Sequence, residues 1–181
     1  MKFGVIKEGK NPPDKRVVLT PQACKALKET FKELEIIVEK SGNRTFDDQE
    51  YVKNGIEVTN DVSSADVLLG VKEVPIDALI NDKKYFFFSH TIKEQPYNRD
   101  LLRAVLDKNI ELYDHEVITN QKEVRLVAFG RYAGIVGAYN GIRTFGLKNK
   151  SFNLPKAQEL ADQKELIEEL RKITLPNIKI A

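Results

Sequence analysis

The chain has 181 residues, enough for one domain with a full core, or one domain and part of a second. Its charged residues, 31% of the total, nearly balance at 29 basic against 27 acidic, so no strong field exists to draw nucleic acid or an anionic membrane. The single Cys24 excludes an intrachain disulfide, MKFGVIKEGK carries no apolar leader, and no run approaches the ~20 apolar residues of a membrane span; the expectation is a soluble cytoplasmic protein whose partners are small molecules, with a homo-oligomer left open.

From the amino end, KFGVI (2–6), EIIVE (35–39), DVLLGV (66–71) and YFFFS (85–89) are apolar runs without in/out alternation, as expected of parallel strands covered on both faces. Between them, Thr20-Pro21 gives an N-cap and a proline at the first helical position for a helix to about Leu34, with Ala23, Leu27 and Phe31 facing inward. A second helix over 47–54 stops at Asn54-Gly55. A third, from about Pro96 to Asp107, turns Leu101, Leu102 and Val105 inward. IELYDHEVI (110–118) and VRLVAFG (124–130) read as a hairpin or as two strands of a mixed sheet. GRYAGIVGAYNGIRTFG then reads as a helix whose small residues, spaced by four, allow tight packing. A further helix covers 155–172, and LPNIKIA has the character of a strand beginning where the chain stops.

The fold class expected is therefore α/β: an open, mostly parallel, Rossmann-like sheet flanked by helices, ending at the start of a second, truncated domain. It carries no dinucleotide fingerprint. The glycines of GRYAGIVG fall inside a helix rather than in a strand-to-helix turn, and no G-x-G-x-x-G occurs.

In such sheets ligands sit beyond the carboxyl ends of the strands. DVLLGV delivers Lys72-Glu73 there, and YFFFS delivers His90 followed by Lys93. A lysine at a crevice mouth, partly desolvated among other cations, can move protons near neutrality; a solvated loop lysine and a turn-capping histidine are the plainer alternatives. Arg16 follows the loop KEGKNPPDKR, and Arg125 stands in an apolar run, where its fork must meet a carboxylate. That carboxylate is a ligand's, or belongs to Asp114 or Glu116, and both readings stay open. His90 and His115 with scattered carboxylates make no metal pattern, and Cys24, on a helix without a nearby histidine, belongs to the core.

KEGKNPPDKRVVLTP, VKEVP, FSHTIKEQPYN and VRLVAFGRYAGIVGAYNG, in this order, closely resemble the N-terminal region of lysine-forming saccharopine dehydrogenases and lysine-ketoglutarate reductases, which group with alanine dehydrogenase and the transhydrogenase N-terminal domain. The resemblance implies an enzyme interconverting saccharopine with L-lysine and 2-oxoglutarate, with NAD or NADP as cofactor. It implies Lys72 and His90 as the acid/base pair and Arg16 and Arg125 as carboxylate binders, with Glu73, Lys93 and Glu116 at the substrate, tuning the site. It also implies a catalytic domain over 1–150, followed by a linker helix and the first strand of a nucleotide-binding domain over 151–181. No cofactor-binding residue falls in this chain, and the chain alone is expected to be inactive. One departure stands out: members often carry two adjacent arginines before the AFG segment, whereas Val124 precedes Arg125 here. An alanine-dehydrogenase-like enzyme and a non-catalytic carboxylate-binding domain are the alternatives.

Overall fold

In a computed structural model the structure describes residues Met1–Asn177. The strand expected over IKIA lies outside the described residues. Six strands, β1 (Lys2–Val5), β2 (Glu35–Glu39), β3 (Glu57–Thr59), β4 (Val67–Leu69), β5 (Lys84–Phe87) and β6 (Glu111–Asp114), form one open sheet in the order β3-β2-β1-β4-β5-β6. Every pairing is parallel, for example Val5 with Val38 and Leu69, and Phe87 with Asp114. The chain winds outward from β1 through β2 and β3, then returns to its other side for β4, β5 and β6. The switch point, where loops diverge and leave a crevice, lies between β1 and β4.

The sheet is buried because its strands are apolar on both sides. Ile37, Leu68, Tyr85 and Phe87 face one core with Val74, Leu79 and α3 (Arg99–Asp107), whose Leu101 and Val105 point inward while Leu102 is exposed. Val5, Ile36 and Val38 face the other core with α1 (Pro21–Thr30) and α2 (Asp48–Lys53), which contribute Cys24 and Tyr51. Helix α1 starts as read, with the Thr20 side chain accepting from Ala23 N, but ends at Thr30. Its inward line runs through Pro21 and Cys24, leaving Phe31 exposed, because the chain has already turned extended at Phe31.

Three expectations fail beyond β6: the VRLVAFG strand, the packing of the next helix's glycines, and the helix over 155–172, where only Gln163–Arg171 is α-helical behind a short 3₁₀ turn at Ala157–Glu159. VRLVAFG is not a strand: residues past Asp114 form turns held by one antiparallel bridge between Thr119 and Arg125, with Asn120 capping the turn through Lys122 N and Val124 N. Val124 and Leu126 are exposed, so the run lacks the covered face a strand would need.

The chain divides into two compact units, the first ending at Val127 and the second starting at Ala128. The second is built on α4 (Gly130–Asn149) and α5 (Gln163–Arg171). Tyr139 is its buried centre, its hydroxyl donating to Pro155 O, with Leu154, Leu166 and the half-buried Ile142 around it. The tight packing expected along the glycines of α4 is found only at Gly146, which meets Phe152. Added Cβ atoms at Gly130, Gly134, Gly137 and Gly141 would touch nothing among the described residues.

Candidate functional site

Three neighbouring strands end in ionisable side chains, and their order in the sheet sets the order of the site. Pairing continues past each strand end: Gly70 N donates to Phe86 O, Phe88 N to Val71 O and His115 N to Phe87 O. Lys72 beyond β4, His90 beyond β5 and Glu116 beyond β6 therefore come out side by side. Lys72 Nζ stands 3.4 Å from His90 Nε2, and His90 Nδ1 stands 2.9 Å from Glu116 Oε2.

A carboxylate can only accept, so His90 Nδ1 carries the proton and donates it to Glu116. In the neutral ring Nε2 is then the lone pair, turned toward the Lys72 ammonium. Lys93 Nζ also lies 3.2 Å from Nδ1, but its fitting partner is Glu116 Oε1 at 3.0 Å, since a donating Nδ1 has nothing to offer a second donor. The result is a line of three groups along which a proton can be handed.

His90 is held in place by its backbone. It adopts a left-handed conformation with φ 57°, uncommon outside glycine, at the turn leaving β5. Asn98, buried, donates from Nδ2 to the His90 carbonyl at 2.9 Å. Ser89, fully buried, donates from its hydroxyl to Asp114 and accepts from Thr91 N at 3.1 Å. Asp114 also accepts from Glu116 N at 2.8 Å, so one buried carboxylate ties together the segments bearing His90 and Glu116.

The remaining expected residues surround this line. Glu73 Oε1 is 3.7 Å from His90 Nε2, too far for a hydrogen bond, while its Oε2 pairs with Lys10 Nζ at 2.9 Å. Burial acts to raise the Glu73 pKa, but the Lys10 hydrogen bond, a backbone N–H and the charges of Lys10 and His90 together hold it below the usual range. Burial likewise works against Glu116, where the hydrogen bonds of His90 and Lys93 prevail and lower it. Arg125 lies 3.6 Å from Glu116 Oε1 with its guanidinium over the Phe88 ring, while Asp114, the other partner considered for it, is taken by Ser89 and Glu116. At 43% side-chain exposure, Arg125 keeps much of its fork toward solvent. Arg16 is gripped by Asp14, with Nε to Oδ1 at 2.9 Å; that hydrogen bond is the main cause of the lowered Asp14 pKa.

Besides the expected Arg16, the loop after β1 contributes three residues that sequence reasoning missed: Glu8, Lys10 and Asp14. Glu8 and Lys10 meet the site through partners 63 or more residues away, which nothing local marks, whereas Asp14 acts on its near neighbour Arg16. Two other groups are set aside. Cys24 is fully buried, and burial pushes its thiol up to about 11. Among the described residues no group of three or more His, Cys, Asp or Glu could hold a metal ion, and no helix is long and apolar enough to cross a membrane.

The domain is a doubly wound parallel α/β sheet with amine, imidazole and carboxylate groups collected along one carboxyl edge, where ligands sit in sheets of this kind. Sequence comparison makes this specific. The family model for the alanine dehydrogenase/PNT N-terminal domain matches residues 4–136, and the chain belongs to that family. Alpha-aminoadipic semialdehyde synthase, mitochondrial, of Bos taurus is 37% identical over 142 residues, which are 78% of this chain and 15% of that protein. Saccharopine dehydrogenase [NAD(+), L-lysine-forming] of Yarrowia lipolytica is 31% identical over 169 residues, 89% of this chain and 45% of that one. The chain thus spans less than half the length of these relatives. Among solved structures, an L-alanine dehydrogenase superposes with a TM-score of 0.57 at 24% identity, covering 68% of this chain and 35% of that one. A transhydrogenase from Sinorhizobium meliloti superposes with a TM-score of 0.54 at 21% identity, covering 66% and 36%. Both share the fold.

The turn from β1 to α1 is not a glycine-rich one. After β1 the chain enters a long loop; α1 then opens on Pro21, which has no N–H, and Thr20 already occupies Ala23 N. A phosphate would find few free donors there.

Proposed function

We propose that this chain is the catalytic, substrate-facing domain of an oxidoreductase interconverting saccharopine with L-lysine and 2-oxoglutarate, using NAD or NADP held mainly by residues outside it. The observation that carries the reading is the Lys72–His90–Glu116 line at the carboxyl edge, read with the names of the relatives above. Condensing an amine with a keto acid requires a proton to leave the amine and another to reach the departing carbinolamine oxygen. His90 Nε2 is the base for the first and Lys72 Nζ the acid for the second, with Glu116 holding the ring so that Nε2 stays available.

Arg125 and Lys93 suit substrate carboxylates, since both already border the site and share one carboxylate, Glu116, which an anionic ligand could displace from either. Arg16, locked to Asp14, would serve as a fixed positive wall. We further read residues 1–150 as the catalytic domain and 151–181 as the passage to the nucleotide-binding domain.

Binding and turnover test this separately. The 181-residue chain should bind 2-oxoglutarate or saccharopine with shifts at the His90 and Arg125 signals in NMR titration. A protein carrying the family's nucleotide-binding domain should oxidise NADH or NADPH with lysine plus 2-oxoglutarate. Oxidation with ammonium plus pyruvate instead would favour the alanine-dehydrogenase-like alternative, and binding without turnover a carboxylate-binding domain.

A further inference from the structure

The Lys72–His90 contact depends on where the backbone runs after β4: on the β5 side Phe88 N still holds Val71 O at 3.0 Å, but on the β1 side the ladder stops short of Val71 and Lys72. β1 and β4 are already joined through Phe3 with Val67, Gly4 with Leu68 and Val5 with Leu69, and Ile6 N closes the last rung on Leu69 O at 3.0 Å. The next two N–H groups of interest, those of Val71 and Lys72, are instead taken by one side chain. Glu8 Oε1 accepts from Val71 N at 2.7 Å and Glu8 Oε2 from Lys72 N at 2.9 Å. A Cβ at Gly70 would crowd Ile6, at 2.9 Å from its Cδ1, and would meet Glu8 Oε1 at an ordinary 3.6 Å.

We propose that Glu8 is a positioning residue for the Lys72–His90 pair, its carboxylate clamping the Val71–Lys72 backbone so that Lys72 Nζ stays within reach of His90 Nε2. The inference rests on the acid/base reading of that pair and extends it to a residue that reading leaves without a role. A carboxylate offers one oxygen to each N–H group, and charge-assisted bonds of that kind are stronger than neutral ones. Glu8 keeps this place at a cost. Burial raises its pKa, the two N–H groups partly offset that, Asp14 adds to the rise and Arg16 lowers it. The sheet itself does not need the bonds, because the β1–β4 ladder is complete at Ile6 and Phe88 N already holds Val71 O on the β5 side. What they define is the path of the chain beyond the ladder, where Lys72 begins.

The test uses NMR on the 181-residue chain, with Glu8→Ala and Glu8→Gln as variants. In Glu8→Ala the Val71 and Lys72 amides should exchange with solvent about 10-fold faster or more, the scale of a lost hydrogen bond, while Leu68 and Gly70 within the ladder keep their rates. The nuclear Overhauser contact between the Lys72 ε-methylene and the His90 ring should disappear. Glu8→Gln keeps one accepting oxygen and should lose part of both signals. A Lys72–His90 contact of undiminished intensity in Glu8→Ala overturns the proposal, even with faster exchange, because the carboxylate would then serve only the loop. Should Glu8→Ala fail to fold, Glu8→Gln decides by the same contact, and full persistence there overturns the proposal. Neither readout involves turnover. Unchanged rates in Lys72→Met would sink the acid/base reading and leave the clamp standing, whereas a persistent contact would remove the clamp and leave that reading intact.

Discussion

His90 and Glu116 meet through Nδ1 and Oε2 at 2.9 Å, across the ends of two strands paired at Phe87 and Asp114. Because the carboxylate can only accept, this contact selects the imidazole tautomer and turns the lone pair of Nε2 toward Lys72. Replacing Glu116 by Gln should release that choice, since an amide can donate as well as accept. Nitrogen-15 spectra should show Nδ1–H alone in the parent chain and an Nε2–H population in Glu116→Gln. In an enzyme with its cofactor domain, turnover should fall about 10-fold or more, less than the ~10²–10⁴ that a positioned acid or base itself contributes.

Lys72 and His90 themselves should matter more. Lys72→Met and His90→Gln are each expected to lower turnover ~10²-fold or more with the fold retained, checked by steady-state rates beside circular dichroism. Equal loss in the double variant would mark the two as one unit, as their 3.4 Å contact implies.

The buried Asp114 is expected to act through stability. It accepts from the Ser89 hydroxyl and from Glu116 N, so Asp114→Ala leaves two polar groups without their partner. The expected loss is about 1–3 kcal/mol by urea unfolding, the usual cost of unmatched buried hydrogen-bonding groups. Ser89→Ala removes both the donor to Asp114 and the acceptor of Thr91 N, and should cost a comparable amount.

How much of this could be read in the sequence divides along physical lines. β2, β4 and β5 were legible because EIIVE, DVLLGV and YFFFS are buried on both faces, and locating their ends located Lys72 and His90. β3 was missed because EVT is a short edge strand with no apolar run. VRLVAFG misled because apolar composition alone does not distinguish a strand from an exposed turn whose only ladder contact is the Thr119–Arg125 bridge. Glu8 could not be found at all: its partners lie 63 and 64 residues away.

Acid should weaken the fold in a direction these carboxyls set. The Arg16 hydrogen bond lowers Asp14, and hydrogen bonds outweigh burial to lower Glu73 and Glu116. The unfolded chain therefore takes up their protons first. Their contribution is complete above the ordinary values of about 3.9 and 4.3 and is lost as pH falls through the lower folded values. Glu8, raised chiefly by burial, runs the other way: its contribution is full below about 4.3 and is lost as pH rises through its folded value. Urea midpoints measured between about pH 6 and 3 should fall toward acid. The fall should be shallower in Asp14→Asn and steeper in Glu8→Gln, which removes the one opposing group.

The glycines of α4 give a paired test of where that helix is packed. Glycine inside a helix loses more chain entropy on folding than alanine, so where space is open Gly→Ala should stabilise. A Cβ at Gly134 or Gly137 meets nothing within 4 Å among the described residues, and Gly137→Ala should add about 0.5–1 kcal/mol to the stability of the second unit. At Gly146 the same change places a Cβ 2.3 Å from Phe152 Cε2 and 2.7 Å from the Phe152 carbonyl oxygen. The ring can swing aside but the carbonyl cannot, so Gly146→Ala should cost about 1–3 kcal/mol as an overpacked site. Thermal unfolding of the two variants should move in opposite directions. A loss of stability at both positions would mean that the open face of α4 is covered in the folded protein after all.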